Sequence, residues 1–553
     1  MYKFLFSFLL LVVTSFPLQA RQPAAIASAH PLATQAGEEI LQAGGNAFDA
    51  AVAVSAALAV VEPYSSGIGG GGFWLLHRAE DQFEVMLDGR ERAPFNAHRD
   101  MYLDKNGDVI TGASMNGPLS AGIPGVPAAL EHLAVHYGQL PLNKSLQPAI
   151  RYAEKGFAVD KHYQHMAKFR LKELKRSPAA AAIFLHKGKV PAVGYRIKQK
   201  DLAKTFRLIA DKGADGFYKG PLADKLIQGT NKAGGIWSTK DFNDYKVIER
   251  KPIKAEYRGM KITSVAPPSS GGVALVEILN QLSAYPLEKL SAIQQKHYIV
   301  EAMRRAYRDR AEYLGDTDFV KVPVAKLINK DYAAGLRTTI RPKAATPSDA
   351  LPGMKKKDGA TDTTHFSIID HEGNYVAATL SINYPFGSCF VPPGTGVLLN
   401  DEMDDFSAKP GVPNVYGLVG ADANAIQPGK RMLSSMTPTF LQTKNRLAVL
   451  GTPGGSRIIS MVLLGALAFN QGEDAQTIVD LPRYHHQYLP DIISYEPGAL
   501  SAQQIEQLTA MGHKFKAEDN TWGNMQMVIW DKKKLTMAAA SDHRGTGQSV
   551  VIP

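Results

Sequence analysis

Thr363 stands at the most informative joint in the chain. It opens a strand-like run, Thr363–Asp370, directly behind Pro342–Asp362 (PKAATPSDALPGMKKKDGATD). Proline, glycine and lysine dominate that preceding stretch, which reads as an exposed, mobile linker. A hydroxyl at such a joint has two readings. Thr363 and Thr364 can be ordinary β-formers. Alternatively, one of them is a nucleophile released by self-cleavage. A threonine hydroxyl is inert at neutral pH without a base. A cut before Thr363 would supply one in the same residue, an α-amine whose ordinary pKa is roughly 7.7–8.0.

Hairpin geometry says what surrounds this hydroxyl. His371-Glu372-Gly373 suits a three-residue loop with glycine in the left-handed position, which pairs Asp370 with Asn374. Thr363 then falls opposite Ser381, with Asn383 one repeat further along the same face. A one-residue slip would turn both away. A second piece of chemistry lies in Gly451-Thr452-Pro453-Gly454-Gly455-Ser456, between a strand and a helix. Its backbone N–H groups and the helix dipole can face a developing oxyanion.

Other motifs carry less. Gly67–Gly72 fits GxGxxG, but a helix precedes it where a dinucleotide site needs a strand. His132 and His136 share a helix face without the HExxH order, and with His162 and His165 they read as surface residues. His485-His486 is too compact for both rings to reach one metal and reads as packing. Cys389 is the single cysteine, so no internal disulfide or Cys-based metal site can form, and it reads as a small core residue.

The elements that must position these groups follow from patterning. Pro31–Arg341 reads as mostly helical. It contains an apolar, buried helix at Ala47–Val61 capped by Asn46, with further helices near Pro127–Tyr137, Ser145–Gly156, Tyr163–Lys175, Leu202–Lys212 and Ala292–Tyr313. Ile253–Tyr257 and Lys261–Val265 read as strands. Beyond Thr363 the pattern turns to β: Thr363–Asp370 with Asn374–Asn383, then Thr437–Leu441 with Leu447–Leu450, a helix at Arg457–Phe469, and a closing pair, Met525–Trp530 and Leu535–Ala539.

Composition sets the outer limits. The 553 residues are 45% hydrophobic, which excludes wholesale disorder. The net charge of +10 is spread without a long basic tract, which argues against nucleic-acid binding. Residues 1–20 read as a secretory signal: Lys3, the apolar Leu9–Val13, then Leu18-Gln19-Ala20. The expected mature chain is exported, periplasmic or secreted, without a membrane anchor.

Several ordered motifs together resemble the γ-glutamyltransferases. They are Thr363–Ser367, Leu398–Phe406 (LLNDEMDDF), Lys409–Asn424 (KPGVPNVYGLVGADAN), Leu433–Pro438, Gly451–Ile458, Ser66–Phe73 and Arg90–Pro94. The likeness spans roughly Ala25 to Val551. It implies an α+β Ntn-hydrolase fold, an αββα four-layer sandwich built by two subunits of one self-cleaved precursor. These would be residues 21–362, ending in the linker 342–362, and residues 363–553.

The resemblance also assigns roles. Cleavage falls between Asp362 and Thr363, which makes Thr363 the nucleophile and sets Thr364 to bond the new terminus. Ser381 and Asn383 flank the nucleophile, and Gly454 and Gly455 form the oxyanion hole. Arg90, Ser434 and Ser435 hold a substrate α-carboxylate, while Glu402, Asp405 and Asn383 hold its α-ammonium. Tyr416 covers the pocket from a lid at Pro410–Ala421. No metal or cofactor is implied.

The partners implied are glutathione and other γ-glutamyl compounds, acceptor amino acids or peptides, and the two subunits themselves. The rivals are a glutaryl-cephalosporin acylase of the same fold and a non-catalytic exported binding protein.

Overall fold

The computed structural model describes residues 22–351 and 363–553. The expected signal, residues 352–361 of the linker and Asp362 lie outside the described residues.

Two antiparallel sheets lie at the centre. The first runs Gln548–Ile552, Ala24–Ser28, Thr364–Ile369, Tyr375–Ser381, Gly71–Arg78, Phe83–Gly89, Ile248–Arg250. The second runs Thr536–Ser541, Gln526–Asp531, Arg446–Gly451, Thr439–Gln442, Met260–Ser264, Ile253–Tyr257. Side chains alternate faces along a strand, and the cores follow that period. Ala25, Ala27, Phe73, Leu75, Phe440 and Val449 pack between the sheets. Their neighbours Ile26, Trp74 and Leu76 pack outward on the first helical layer, and Leu441, Ala448 and Leu450 on the second. Four layers result, as the resemblance implies.

The first layer centres on Ala47–Val61, every residue of which is buried. Such a helix cannot find water at its ends, so its capping groups must come from the protein. Asn46 Oδ1 accepts from Phe48 and Asp49 N–H, and Asp49 returns a bond to Asn46 N–H at 3.0 Å. Asn46→Ala should therefore lower stability by about 1–2 kcal/mol, read as a lower denaturant midpoint at unchanged slope.

The hairpin register is as the loop length predicts. Tyr375 pairs with Ile369 and Leu380 with Thr364, and Gly373 has φ +86°. The helices Ala47–Val61 and Ala292–Tyr313 and the strand Ile253–Tyr257 also match.

Three expectations need correction. The region before Arg341 is less helical than expected, because Gly71–Arg78 and Phe83–Gly89 are strands. Gly71 and Gly72, the end of the GxGxxG match, begin the first of them. Glycine is required just ahead of it: a Cβ on Gly70 would sit 2.1 Å from the Ser381 carbonyl oxygen. The pair expected to close the chain is followed by Gln548–Ile552, an edge strand on Ala24–Ser28. Lastly, the described part of the linker is anchored rather than mobile. Ala345, Thr346 and Ser348 are buried, Glu301 accepts from Thr346 N–H, and Asp491 accepts from Ser348 N–H.

Candidate active site

Thr363 is buried at the start of its strand, on the partition between two cavities. One is large, about 1030 Å³, and lined among others by Glu62, His162, Phe169, Tyr384, Gly454 and Trp522. The other is small and narrow. Its lining brings together Arg90, Ser381, Asn383, Glu402, Asp405, Tyr416, Ser434, Ser435 and Gly455 with Thr363. Every substrate-binding residue proposed from the sequence faces this one space, and the two glycines divide between the cavities.

The elements that aim these groups are specific. His365 follows Thr363 by two residues, so both project between the sheets. Its Nδ1 meets Thr379 Oγ1 at 2.8 Å, and its ring fills the space a Cβ on Gly451 would need, 2.3 Å away. Burial pushes the imidazole down to about 3. His365 is thus a neutral spacer that indexes the glycine turn against the nucleophile strand, not a base. Beyond Gly451, Gly454 and Gly455 have φ +139° and +54°, conformations that favour glycine. The turn then enters the helix Ile458–Gln471.

Asn383 has φ +74°, and its backbone N–H donates to Ser381 Oγ at 2.7 Å. Its carboxamide Nδ2 donates to the Asp401 carbonyl at 3.0 Å. A non-glycine residue held in this region stores strain that the surroundings must sustain. Tyr416 closes over it, donating its hydroxyl to the Asn383 carbonyl at 2.9 Å. The loop that carries Tyr416 is tied elsewhere too: Val415 N–H donates to Asp404, and Asn414 Nδ2 to Asp405.

Arg90 is fully buried. Nη1 pairs with Glu402 at 2.6 Å, Nη2 with Asp405, and Nε donates to the Met432 carbonyl at 3.3 Å. Burial is the main influence on Glu402, pushing its carboxyl up to about 8 against the opposing pull of Arg90. Ser435 Oγ accepts from Arg310, a buried arginine absent from the sequence reading. The Thr364 hydroxyl donates a hydrogen bond to Glu62 at 2.6 Å, which leaves its lone pairs able to accept from an N–H donor. Glu62 also escaped the sequence reading; an acid closing an otherwise apolar helix was the available signal.

The remaining candidates resolve simply. Cys389 is buried with φ +57°, accepts from Arg170 Nε at 3.3 Å, and burial pushes its thiol up to about 12, so it stays protonated. His132 pairs with Glu249 near the surface, and His485 and His486 are buried in hydrogen bonds, as expected. His162 departs from its expected surface position: it is half-buried, its ring 5.0 Å from Tyr64, and with His165 it lines the large cavity.

His297, Glu301 and His513 could geometrically share a metal. Protein partners already occupy them: the two imidazoles bond each other at 2.8 Å, and Glu301 pairs with Arg304 and Arg305.

The sequence model of the family described as gamma-glutamyltranspeptidase matches residues 33–552. A glutathione hydrolase proenzyme of Pseudomonas sp. (strain A14) is 46% identical, covering 89% of this chain and 86% of its own length. Two solved structures share the Ntn-hydrolase fold. The cephalosporin acylase from Bacillus halodurans superposes with a TM-score of 0.84 at 28% identity, over 98% of this chain and 99% of that one. The Helicobacter pylori gamma-glutamyltranspeptidase has a TM-score of 0.58 at 43% identity, covering 59% of this chain and 93% of that one. A family match across both sheets, and a relative this similar along most of its length, place the chain in the gamma-glutamyltranspeptidase family.

Proposed function

We propose that the chain is an exported glutathione hydrolase and γ-glutamyltransferase that matures by cutting itself between Asp362 and Thr363. In maturation, Thr363 Oγ attacks the Asp362 carbonyl, and water hydrolyses the resulting ester. In turnover, the same oxygen attacks the γ-amide carbonyl and its proton passes to the Thr363 α-amine. The oxyanion faces the N–H groups of Gly454 and Gly455, where one such donor contributes about 2.7–4 kcal/mol of barrier lowering. The ammonium then protonates the leaving amine, cysteinylglycine from glutathione, which departs through the large cavity. Water takes the γ-glutamyl group, or an acceptor amino acid or peptide does.

The observation that carries this reading is the small pocket beside Thr363. It sets Arg90 against Glu402 and Asp405. A zwitterionic glutamyl end offers its carboxylate to Arg90, Ser434 and Ser435, and its ammonium to Glu402, Asp405 and Asn383. One internal ion network is exchanged for two to the ligand. A glutaryl group has no ammonium and would leave the acids without that partner, which disfavours the acylase reading. Export rests on the signal-like residues 1–20, and no helix among the described residues is long and apolar enough to cross a membrane.

A denaturing gel and N-terminal sequencing test maturation: two fragments are expected, the smaller beginning Thr-Thr-His. Rates on γ-glutamyl and glutaryl anilides test the substrate. Glu402 adds a pH signature. Its neutral form prevails below about pH 8, and ammonium binding favours the charged form. KM for the γ-glutamyl anilide should fall from pH 6 to 8, by at most about tenfold per unit. A glutaryl substrate should lack that slope.

A further inference from the structure

Glu62 closes the apolar helix Ala47–Val61 and is buried. A carboxylate at this end opposes the helix dipole, and its desolvation is costly without a cation. Among the described residues it pairs with no lysine or arginine. The donors it does have are the Thr364 hydroxyl at 2.6 Å and the Tyr64 hydroxyl at 3.4 Å. Yet Glu62 lines the same cavity as Thr363, and its partner Thr364 directly follows the residue on which the proposed cleavage creates an α-amine. It does not line the pocket that holds Arg90, Glu402 and Asp405.

We infer that Glu62 is a positioning residue of the mature enzyme: its carboxylate, fixed by Thr364, is the counter-charge for the α-ammonium that Thr363 forms during turnover. The inference rests on cleavage before Thr363. When Thr363 Oγ attacks, its proton moves to the α-amine, and the positive charge that appears there faces Glu62. The proton stays on nitrogen until the leaving amine takes it, so Glu62 alters the base without exchanging protons with substrate.

The surroundings keep this carboxyl titratable. Burial is the main cause that raises it to about 7; the bonds from Thr364 and Tyr64 oppose the rise and Asp160 adds to it. Asp160 caps the helix Lys161–Phe169, which also carries His162, whose ring burial lowers and which packs on Tyr64. Glu62 and the amine therefore titrate as a pair, with apparent values belonging to both. An opposite charge within about 4–6 Å raises an amine pKa by roughly 1–3 units.

Glu62→Gln decides the matter. The variant should still cut itself, because no free amine exists before cleavage. Its acid limb of kcat should move down by at least about one pH unit, and plateau kcat should fall about tenfold or more, with KM within threefold of wild type. Glu62→Asp keeps the charge and should restore the limb.

An unchanged limb in E62Q overturns the inference, as does folded E62Q that stays uncut. If E62Q does not accumulate as folded protein, Thr364→Val carries the test. Without its hydroxyl donor Glu62 becomes more often neutral, and the limb must move in the same direction; no movement overturns the inference. Wild type that is not cut before Thr363 instead refutes the proposed maturation itself, a separate result on the same gel.

Discussion

Thr363→Ala is expected to give one uncut chain with no measurable turnover of a γ-glutamyl anilide. The hydroxyl is used twice, first on the Asp362 carbonyl and then on each substrate, so one atom removes both activities. Loss of a covalent nucleophile typically costs about 10⁶ in kcat, which places the variant below ordinary assays. Thr363→Ser retains the oxygen and should still yield two fragments, with slower turnover. Cut fragments from the alanine variant would remove Thr363 from its role.

The second large effect belongs to Arg90. Its guanidinium, fully buried, pairs with Glu402 and Asp405 and lies 3.7 Å from Glu91. Arg90→Ala leaves these acids in a dry site without their cation, a loss of about 3–5 kcal/mol when a buried pair is broken. Protonation limits the damage, since burial already raises both Glu402 and Glu91. Two measurements should move together: a lower unfolding midpoint and a KM for γ-glutamyl substrates raised at least about 100-fold. Arg90→Lys keeps the charge but not the fork that reaches two carboxylates and the Met432 carbonyl. It should recover more stability than affinity. Wild-type KM in the alanine variant would assign the substrate carboxylate to another residue.

What the sequence could reveal was local. The three-residue loop set the register that pairs Leu380 with Thr364 and so brings Ser381 next to Thr363, because hairpin geometry depends only on adjacent residues. The helix Ala47–Val61 was equally plain from its capping asparagine and apolar run. The strands at Gly71–Arg78 and Phe83–Gly89 were not, since glycine carries little β preference and full burial erases alternation.

At the site, the motifs identified the members of the pocket but not their partners. Arg90 meets Glu402 and Asp405 across more than 300 positions of chain, a separation no local pattern spans. Glu62 and Arg310 stayed hidden for the same reason. Each acts through a residue distant in sequence, Thr364 in one case and Ser435 in the other.

The first sheet interleaves strands from both sides of the proposed cleavage point. Ala24–Ser28 lies between Gln548–Ile552 and Thr364–Ile369. While the backbone is continuous, assembling that sheet is a unimolecular event. Once severed, the halves remain clasped, but after heat unfolding they must find each other by diffusion with aggregation as a competitor. The precursor should regain structure after thermal denaturation while the matured form does not, so its durability is set by how slowly it comes apart.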